Sequence, residues 1–427
     1  MVPRKIMPHV NVNELITFKD IPLDVLVKYC DERKISNEIR VYLEIILGQL
    51  ESLIKNNDEL TDEWIHNTFW RLEACVDRTW EALNTGYWKD VPIRERHCYT
   101  ICSVMKCMLL EIDWNTNDNK IDENGKDKME ALVEQIDKGL LLGAPLDEAP
   151  DMLTKMATRF NKYFSDKIAG SSINILECEN DKLSKELLPG FGWIKRYKCP
   201  SMETFYRDIF VKKVPAVLED CMKHWKALEL WKDPKYLINI AGIRTVPIEV
   251  GSRYTDEDWS QCLVTFADFI KSHMSKDSKT IGYLAQHQLF EQIPELKEDF
   301  SVPDYCTFFD EPGEIKMPDI NAWFGPKGTI SPNHFDPKNN LLCQVLGTKQ
   351  IFLYPPEDAE NLYPFEGMIS NTGQADPLNP DYEKFPNFKK ASGTMCYLGP
   401  GEMLFIPPGW WHHIVSLSPS FSISFWW

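Results

Sequence analysis

The sequence predicts an α+β protein in which an N-terminal helical domain precedes a mostly β domain of the sandwich or jelly-roll type. Up to about residue 180, apolar residues recur every three or four positions. Beyond that point proline and glycine become frequent, and the apolar runs are short and rich in β-branched or aromatic residues. A chain of 427 residues also exceeds what one ordinary core holds. We therefore predict two domains, residues 1–185 and 186–427.

The helical domain is predicted from three long amphipathic stretches: VYLEIILGQLESLI, EWIHNTFWRLEACVDRTWEAL and HCYTICSVMKCMLLEI. Each places apolar side chains at helical spacing, which favours an α-helical bundle. In the third stretch Cys98, Cys102 and Cys107 follow His97. A zinc site would need a second pair of ligands, which this run lacks, so buried helix thiols are the better interpretation.

Short apolar runs separated by turn residues predict the β domain, and they include VPAVLED, TVPIEVGS, KTIGYLAQ, NLLCQVLGTKQIFLYPP and SFSISFWW. Within the fourth run, LGTK predicts a tight hairpin that pairs the strand of Lys349 with the strand of Asn340. The segment LGPGEMLFIPPGWWHHIVSL predicts three strands, separated first by a Pro-Gly turn and then by a loop. Many antiparallel strands at this spacing favour a sandwich or a jelly-roll barrel.

Charge and cysteine content limit the classes of function. The chain carries 47 basic and 64 acidic residues, a net charge of −17, which disfavours a nucleic-acid partner and favours a basic peptide. Twelve cysteines spread along a long chain without an apolar leader indicate the reduced thiols of an intracellular protein. A membrane span needs about 18 consecutive apolar residues. The sequence contains no such run, so we expect a soluble protein without a membrane partner.

The stretch GTISPNHFDPKNN pairs a histidine with an aspartate two positions further on. On a strand, His334 and Asp336 would share one face and could direct a nitrogen and a carboxylate oxygen to a common point. His412 and His413, which follow PPGWW, are candidates for a third ligand. Two histidines and one carboxylate form the triad of non-haem Fe(II) sites, whereas zinc favours a closed set of four ligands. A lone H-x-D pair is, however, also common at surface turns.

A lysine indicates what else such a site would hold. Lys349 follows a glycine and begins an apolar strand, so it would enter the interior of the barrel. Burying an ammonium group is costly unless the group meets an anion. A dicarboxylate cosubstrate would supply that anion, which favours an oxygenase.

These segments resemble the jumonji-C family of Fe(II)- and 2-oxoglutarate-dependent oxygenases. NAWFGPKGTISPNHFDPKNNLLCQVLGTKQIFLYPP and PGEMLFIPPGWWHHIVSLSPSFSISFWW contain the family's H-x-D pair, downstream lysine and P-x-x-W-x-H pattern. The resemblance is strong from about Pro189 to Trp427 and looser in the helical half, where WEALNTGYWKDVPIRERHCYTI is the most similar stretch. It implies that the β domain is a jelly-roll of the cupin-like, double-stranded β-helix kind.

The resemblance also implies the residues that bind the metal and the cosubstrate. His334, Asp336 and His412 would bind Fe(II), and His412 is preferred to His413 because it has the W-x-H spacing from Trp410. Lys349, Tyr283 and Ser331 would bind the distal carboxylate of 2-oxoglutarate through one cation and two hydroxyls. Asn340 and Trp426 would contact its keto-acid end or close the pocket around it. No separate catalytic residue is implied.

For the substrate, the resemblance implies contacts with Glu249, Trp259 and Gln286 and a reaction that hydroxylates an arginine side chain of a protein, with succinate and CO2 as coproducts. An acid beside an aromatic ring can pair with and stack on a guanidinium group. From composition alone, Tyr283, Trp259 and Trp426 would equally be core aromatics and Glu249 a solvated strand residue.

Other functions stay open. Demethylation of a histone methyl-lysine uses the same chemistry, whereas peptidase action on histone tails has no nucleophile and base that the sequence singles out. A module that only binds basic peptides is the alternative from another class. The resemblance implies a histone or chromatin-associated partner and a location in the nucleus, with the cytoplasm as the second compartment.

Overall fold

The computed structural model describes residues 15–31, 34–56, 60–87, 90–116, 123–168, 185–251, 253–256, 259–274, 280–310 and 316–427. They form two compact units. The first unit contains the described residues up to 168 together with Ile243–Thr245, and the second contains the others. The predicted boundary between residues 185 and 186 adjoins a stretch outside the described residues and stays a prediction.

The first unit is helical, as predicted. Its helices are α1 Leu23–Asp31, α2 Asn37–Asn56, α3 Asp62–Leu83, α4 Ile93–Thr116, α5 Glu123–Leu142 and α6 Met152–Ile168. The three cysteines of α4 are fully buried in the apolar core of this unit, which agrees with the interpretation as buried helix thiols. Among the described helices, none has the length and apolar character required to cross a bilayer.

A short segment from the second half of the chain belongs to this first unit, Ile243–Thr245. Arg244 is fully buried and forms an ion pair with Asp137 of α5, with Nη2 and Oδ1 2.6 Å apart. The backbone amide of Thr245 donates to the same carboxylate at 2.7 Å. These buried contacts explain the assignment of the segment, which no local sequence pattern reveals.

The second unit is built on fourteen strands: β1 Gly192–Trp193, β2 Arg196–Lys198, β3 Ala216–Glu219, β4 Thr245–Val250, β5 Ser260–Thr265, β6 Gly282–His287, β7 Asp319–Gly325, β8 Ile330–Phe335, β9 Asn340–Leu346, β10 Lys349–Tyr354, β11 Thr394–Leu398, β12 Met403–Ile406, β13 Trp411–Ser416 and β14 Ser420–Trp426. Between them lie a π-helical turn at Tyr206–Phe210 and six α-helices: α7 Met202–Phe205, α8 Ala227–Leu230, α9 Pro234–Ala241, α10 Phe266–His273, α11 Leu289–Gln292 and α12 Pro294–Lys297.

The strands form two sheets. One has five strands in the order β1-β11-β10-β13-β8, and the other has nine in the order β2-β3-β12-β9-β14-β7-β6-β4-β5. Consecutive strands alternate between the sheets from β7 to β10 and again from β11 to β14, while β10 and β11 are neighbours in the five-stranded sheet. This is the connectivity of a jelly-roll, and the predicted fold class is confirmed. Apolar side chains from both sheets, such as Leu342 and Ile351, form the core between them.

The predicted hairpin at LGTK is wrong. Strand β9 pairs with β12 and β14, whereas β10 pairs with β11 and β13, so the chain crosses from one sheet to the other at Gly347. Gly347 has a φ of +74°, and a Cβ there would lie 1.9 Å from the Pro419 carbonyl oxygen. The glycine is therefore needed for the crossover, and glycine alone does not distinguish a crossover from a hairpin.

Alternation along β10 decides where its lysine points. Ile351 and Leu353 face the core between the sheets, while Phe352 and Tyr354 face the opposite side. Lys349 lies two residues before Ile351, so it shares the inward face. The lysine therefore enters the space between the sheets, as the sequence analysis expected.

Candidate metal centre

Two neighbouring strands bring the predicted triad together. His334 lies directly opposite His412 in the antiparallel pair of β8 and β13. Opposite residues in such a pair project to the same face, and the two imidazole rings have centroids 4.2 Å apart. Asp336 follows the end of β8, and its Oδ2 lies 3.7 Å from Nε2 of His412. One ligand atom from each of the three residues lies within 4.8 Å of the others, so they could hold one metal ion.

The backbone orients both imidazoles. Nδ1 of His334 lies 2.7 Å from the Pro332 carbonyl oxygen, and Nδ1 of His412 lies 3.0 Å from the Trp410 carbonyl oxygen. A carbonyl oxygen only accepts, so each Nδ1 carries the proton and each Nε2 keeps its lone pair. Burial and the neighbouring His334 ring lower the pKa of His412 to about 4, which favours the neutral form that binds metals.

The adjacent histidine faces elsewhere. His413 is buried on the other side of β13, with its ring 6.0 Å from that of Phe352. A bulge in the β8–β13 pairing follows His412. Phe335 likewise packs against Trp411 and away from the triad. The choice of His412 over His413 as a candidate ligand therefore agrees with the geometry.

A pocket with about 310 Å³ of empty space adjoins the triad. Its lining contains the triad, the five residues predicted to bind the cosubstrate, and three residues that the sequence analysis missed: Trp323, Leu342 and Ile414. Leu342 and Ile414 lie two positions after Asn340 and His412 on their strands, so strand alternation could have found them. Trp323 depends on long-range strand pairing and carried no such signal.

Lys349 is buried in this pocket and its ammonium group forms no ion pair with a described residue. Its Nζ lies 3.4 Å from the Tyr283 hydroxyl, and no carboxylate of the described residues lies within ion-pair distance of it. Burial lowers the pKa of Lys349 to about 7. Burial also raises the pKa of Tyr283, whose hydroxyl is within hydrogen-bonding reach of Ser331. One ammonium and two hydroxyls therefore converge where a carboxylate would be bound.

Three buried polar atoms of the pocket have no hydrogen-bond partner among the described residues, namely Asp336 Oδ2, Asn340 Oδ1 and Trp426 Nε1. Leaving such groups unpaired is costly, so their presence indicates that the site is built for further ligands. The donor set suits Fe(II), and the lysine with its two hydroxyls suits one carboxylate of a dicarboxylate. The pocket thus fits both Fe(II) and 2-oxoglutarate.

The predicted substrate residues lie in different places. Glu249 of β4 is directly opposite Tyr283 of β6, so its side chain starts on the pocket side of the sheet. Trp259 Nε1 donates to Glu249 Oε2 at 3.4 Å, and burial raises the pKa of that carboxyl. Gln286 is exposed at a bulge of β6, with a left-handed φ of +46°, and none of the three predicted substrate residues lines the pocket. The structure therefore brings Glu249 and Trp259 together but not Gln286.

Comparisons with known proteins agree with this geometry. A family model described as a cupin-like domain matches residues 202–427. Jumonji C domain-containing protein 5 of Drosophila melanogaster is 37% identical over 397 residues, which cover 91% of this chain and 93% of that protein. Lysine-specific demethylase 8 of Danio rerio is 41% identical over 370 residues, 84% of this chain and 87% of that protein.

A plant protein shows the same likeness. Lysine-specific demethylase JMJ30 of Arabidopsis thaliana is 36% identical over 381 residues, which cover 83% of this chain and 85% of that protein. The similarity thus extends well beyond the β domain in all three relatives. The chain belongs to the jumonji-C family of oxygenases, which share a cupin-like domain and use Fe(II) and 2-oxoglutarate.

Proposed function

We propose that this 2-oxoglutarate-dependent dioxygenase hydroxylates a carbon of an arginine side chain in a protein substrate. His334, Asp336 and His412 would hold the metal, while Lys349, Tyr283, Ser331, Asn340 and Trp426 would bind 2-oxoglutarate. Bound Fe(II) with 2-oxoglutarate supplies the activation of O2, and succinate and CO2 are the coproducts. The protein's own contribution is to orient the substrate and to exclude water.

One observation carries the choice of arginine, the carboxylate of Glu249. It is half-buried, and no cationic side chain of the described residues lies within 4 Å of it. The carboxylate accepts a hydrogen bond from the indole of Trp259. A planar guanidinium could pair with the carboxylate and stack on the indole ring, which an ammonium does less well. This pair therefore supports a guanidinium substrate beside the pocket.

Glu249→Gln tests this assignment, since it keeps shape and polarity but removes the charge. We expect hydroxylation of an arginine peptide to fall by about tenfold to a hundredfold in kcat/KM, because a charge-assisted hydrogen bond contributes about 1.5–3 kcal/mol. Peptide-independent conversion of 2-oxoglutarate to succinate should persist, because it uses the metal and the cosubstrate residues. Mass spectrometry of the peptide and a succinate assay measure the two reactions.

The matched control for that variant is Glu219→Gln on β3. Glu219 also belongs to the nine-stranded sheet, but its carboxylate is paired with Arg196 at 2.6 Å. Equal losses in both variants would mean that the charge of Glu249 has no special role and would count against an arginine substrate.

Demethylation of methyl-lysine is the second candidate, and the names of two relatives favour it. Two peptides that differ only at one position, arginine or trimethyl-lysine, distinguish the reactions by mass. A gain of one oxygen on the arginine peptide supports hydroxylation. Loss of methyl groups from the other peptide, with no arginine product, would replace this proposal with the demethylase.

The same samples test the remaining alternatives. Cleaved peptide would indicate a peptidase, and binding of the arginine peptide without succinate or product would indicate a module that only binds basic peptides. Our proposal includes a chromatin-associated protein substrate and a nuclear location, which rest on the family resemblance. Imaging of the tagged full-length chain tests the location.

A further inference from the structure

Two side-chain contacts join the β4–β5 connection to a segment beside the metal centre. Arg253 Nη2 lies 2.6 Å from Asp376 Oδ2, and the Tyr254 hydroxyl lies 3.0 Å from the Thr372 hydroxyl. We call these four residues the clasp. Neither contact was foreseen from the sequence, because the partners are more than 100 positions apart in the chain.

The segment 371–376 is held against β8 on both sides of His334. The amide of Phe335 donates to the Asn371 carbonyl oxygen at 3.0 Å, and the amide of Gly373 donates to the Asn333 carbonyl oxygen at 2.7 Å. His334 and Thr372 also form a β-bridge. Since β8 is the last strand of the five-stranded sheet, this segment covers its open edge. Its position is therefore coupled to the strand that carries a candidate metal ligand.

The other half of the clasp belongs to the substrate side. Arg253 and Tyr254 lie on the connection between Glu249 and Trp259, the pair that we assign to the guanidinium. Tyr254 is half-buried, and burial raises the pKa of its phenol, while the hydrogen bond with Thr372 lowers it. The clasp thus connects the chain between Glu249 and Trp259 to the segment that pairs with β8.

The ion pair in the clasp is well suited to hold a fixed distance. The Arg253 side chain is 29% exposed and that of Asp376 is 16% exposed, so solvent screens the pair less than a fully exposed one. The amide of Leu378 donates to Asp376 Oδ1 at 2.9 Å and fixes the carboxylate before it meets the guanidinium. Such pre-organisation reduces the side-chain entropy that the pair would otherwise lose.

We propose that Arg253 and Asp376 are positioning residues that set the distance between the Glu249–Trp259 pair and the triad, and thereby determine which side-chain carbon is hydroxylated. This inference rests on the proposed arginine hydroxylation. If the guanidinium is held at one end and the metal lies at the other, the spacing between them selects the carbon that comes within reach. The clasp acts through the substrate-side connection and does not itself touch the reacting atoms.

The test compares the full-length protein with Arg253→Gln, with Asp376→Asn and with the exchanged pair Arg253→Asp/Asp376→Arg. Arg196→Gln is the matched control. Arg196 Nε lies 2.6 Å from Glu219 Oε1 at one edge of the nine-stranded sheet, whereas β4 and β5 lie at its other edge. Hydrogen exchange of segment 371–376 is the first readout. The second is the position of the added oxygen, read by fragmentation of an arginine-peptide mixture with varied flanking residues.

We expect both single variants to exchange amide hydrogens of segment 371–376 about tenfold faster and to raise the peptide KM about tenfold, given the partial screening of the pair. They should also give hydroxylation at more than one arginine carbon, whereas the unmutated protein and Arg196→Gln give one product. The variant with the two residues swapped, Arg253→Asp/Asp376→Arg, should recover slow hydrogen exchange and a single product. A merely structural ion pair would not change the position of hydroxylation.

Two results would overturn the proposed role of the clasp. The first is that both single variants match Arg196→Gln in hydrogen-exchange rate and in product position. The second is that Arg253→Asp/Asp376→Arg shows hydrogen exchange as fast, and products as mixed, as the more affected single variant. If no protein, including the unmutated one, modifies the arginine peptides, the proposed function fails. The exchange measurement still decides whether the ion pair holds segment 371–376, because it needs no substrate.

Discussion

Replacement of His334 by alanine should remove activity while the fold persists. The residue lies near the end of β8, is half-buried and is one of the three candidate metal ligands among the described residues. Loss of a group that merely orients a ligand already costs about 10–100-fold in metal affinity or activity. We therefore expect loss of the ligand itself to lower succinate production and peptide modification by at least about a hundredfold.

The measurement needs a metal titration and a fold control. Circular dichroism and the thermal midpoint establish that the variant folds, and Fe(II) is added to saturation under low oxygen before the assay. His287→Ala is the matched variant, since His287 is a half-buried histidine on β6 that does not line the pocket. Turnover by His334→Ala at saturating Fe(II), equal to that of His287→Ala, would refute the assignment of the triad.

Lys349→Met should weaken the binding of 2-oxoglutarate by about one to two decades, since a charge-assisted hydrogen bond contributes about 1.5–3 kcal/mol. The same variant should raise the thermal midpoint at pH 7. Lys349 is buried with no carboxylate of the described residues in ion-pair range, so an apolar side chain of similar length removes a desolvation cost. Loss of binding together with a gain in stability is the pattern of a residue retained for function.

The sign of the pH dependence follows from the pKa of Lys349. Its folded pKa of about 7 lies below the usual value of about 10.4, so between these values the unfolded chain binds more protons than the folded one. The stability of the unmutated protein relative to Lys349→Met should therefore improve as the pH rises from 7 to 9. An unchanged 2-oxoglutarate affinity would mean that Lys349 does not bind the cosubstrate as an ammonium. A parallel pH dependence of stability in both proteins would mean that burial does not lower the pKa of Lys349.

Local patterns together with the family resemblance predicted the centre of the site. The period of two along a strand places His334 and Asp336 on one face, and the family's W-x-H spacing singles out His412, which the structure places opposite His334. Alternation also directs Lys349 into the core between the sheets. These features depend on short stretches of sequence whose strands were correctly located.

Features that depend on distant parts of the chain could not be predicted in this way. The LGTK segment gives the same local signal for a hairpin as for the observed crossover, and only the pairing of β10 with β11 and β13 distinguishes them. The bulge that exposes Gln286 and the contact of Arg253 with Asp376 likewise arise from tertiary structure. Strand periodicity predicts which face a side chain occupies and leaves its long-range partner open.

The most direct test of the central claim is the ratio of succinate formed to arginine peptide hydroxylated, measured with Fe(II) and 2-oxoglutarate. Two peptides are compared that differ only by arginine or lysine at one position. We predict Fe(II)-dependent succinate formation that rises with the arginine peptide, with one oxygen added to arginine for each additional succinate. The lysine peptide should give neither the increase nor the product. Equal stimulation by both peptides with no oxygen on arginine would contradict the proposal.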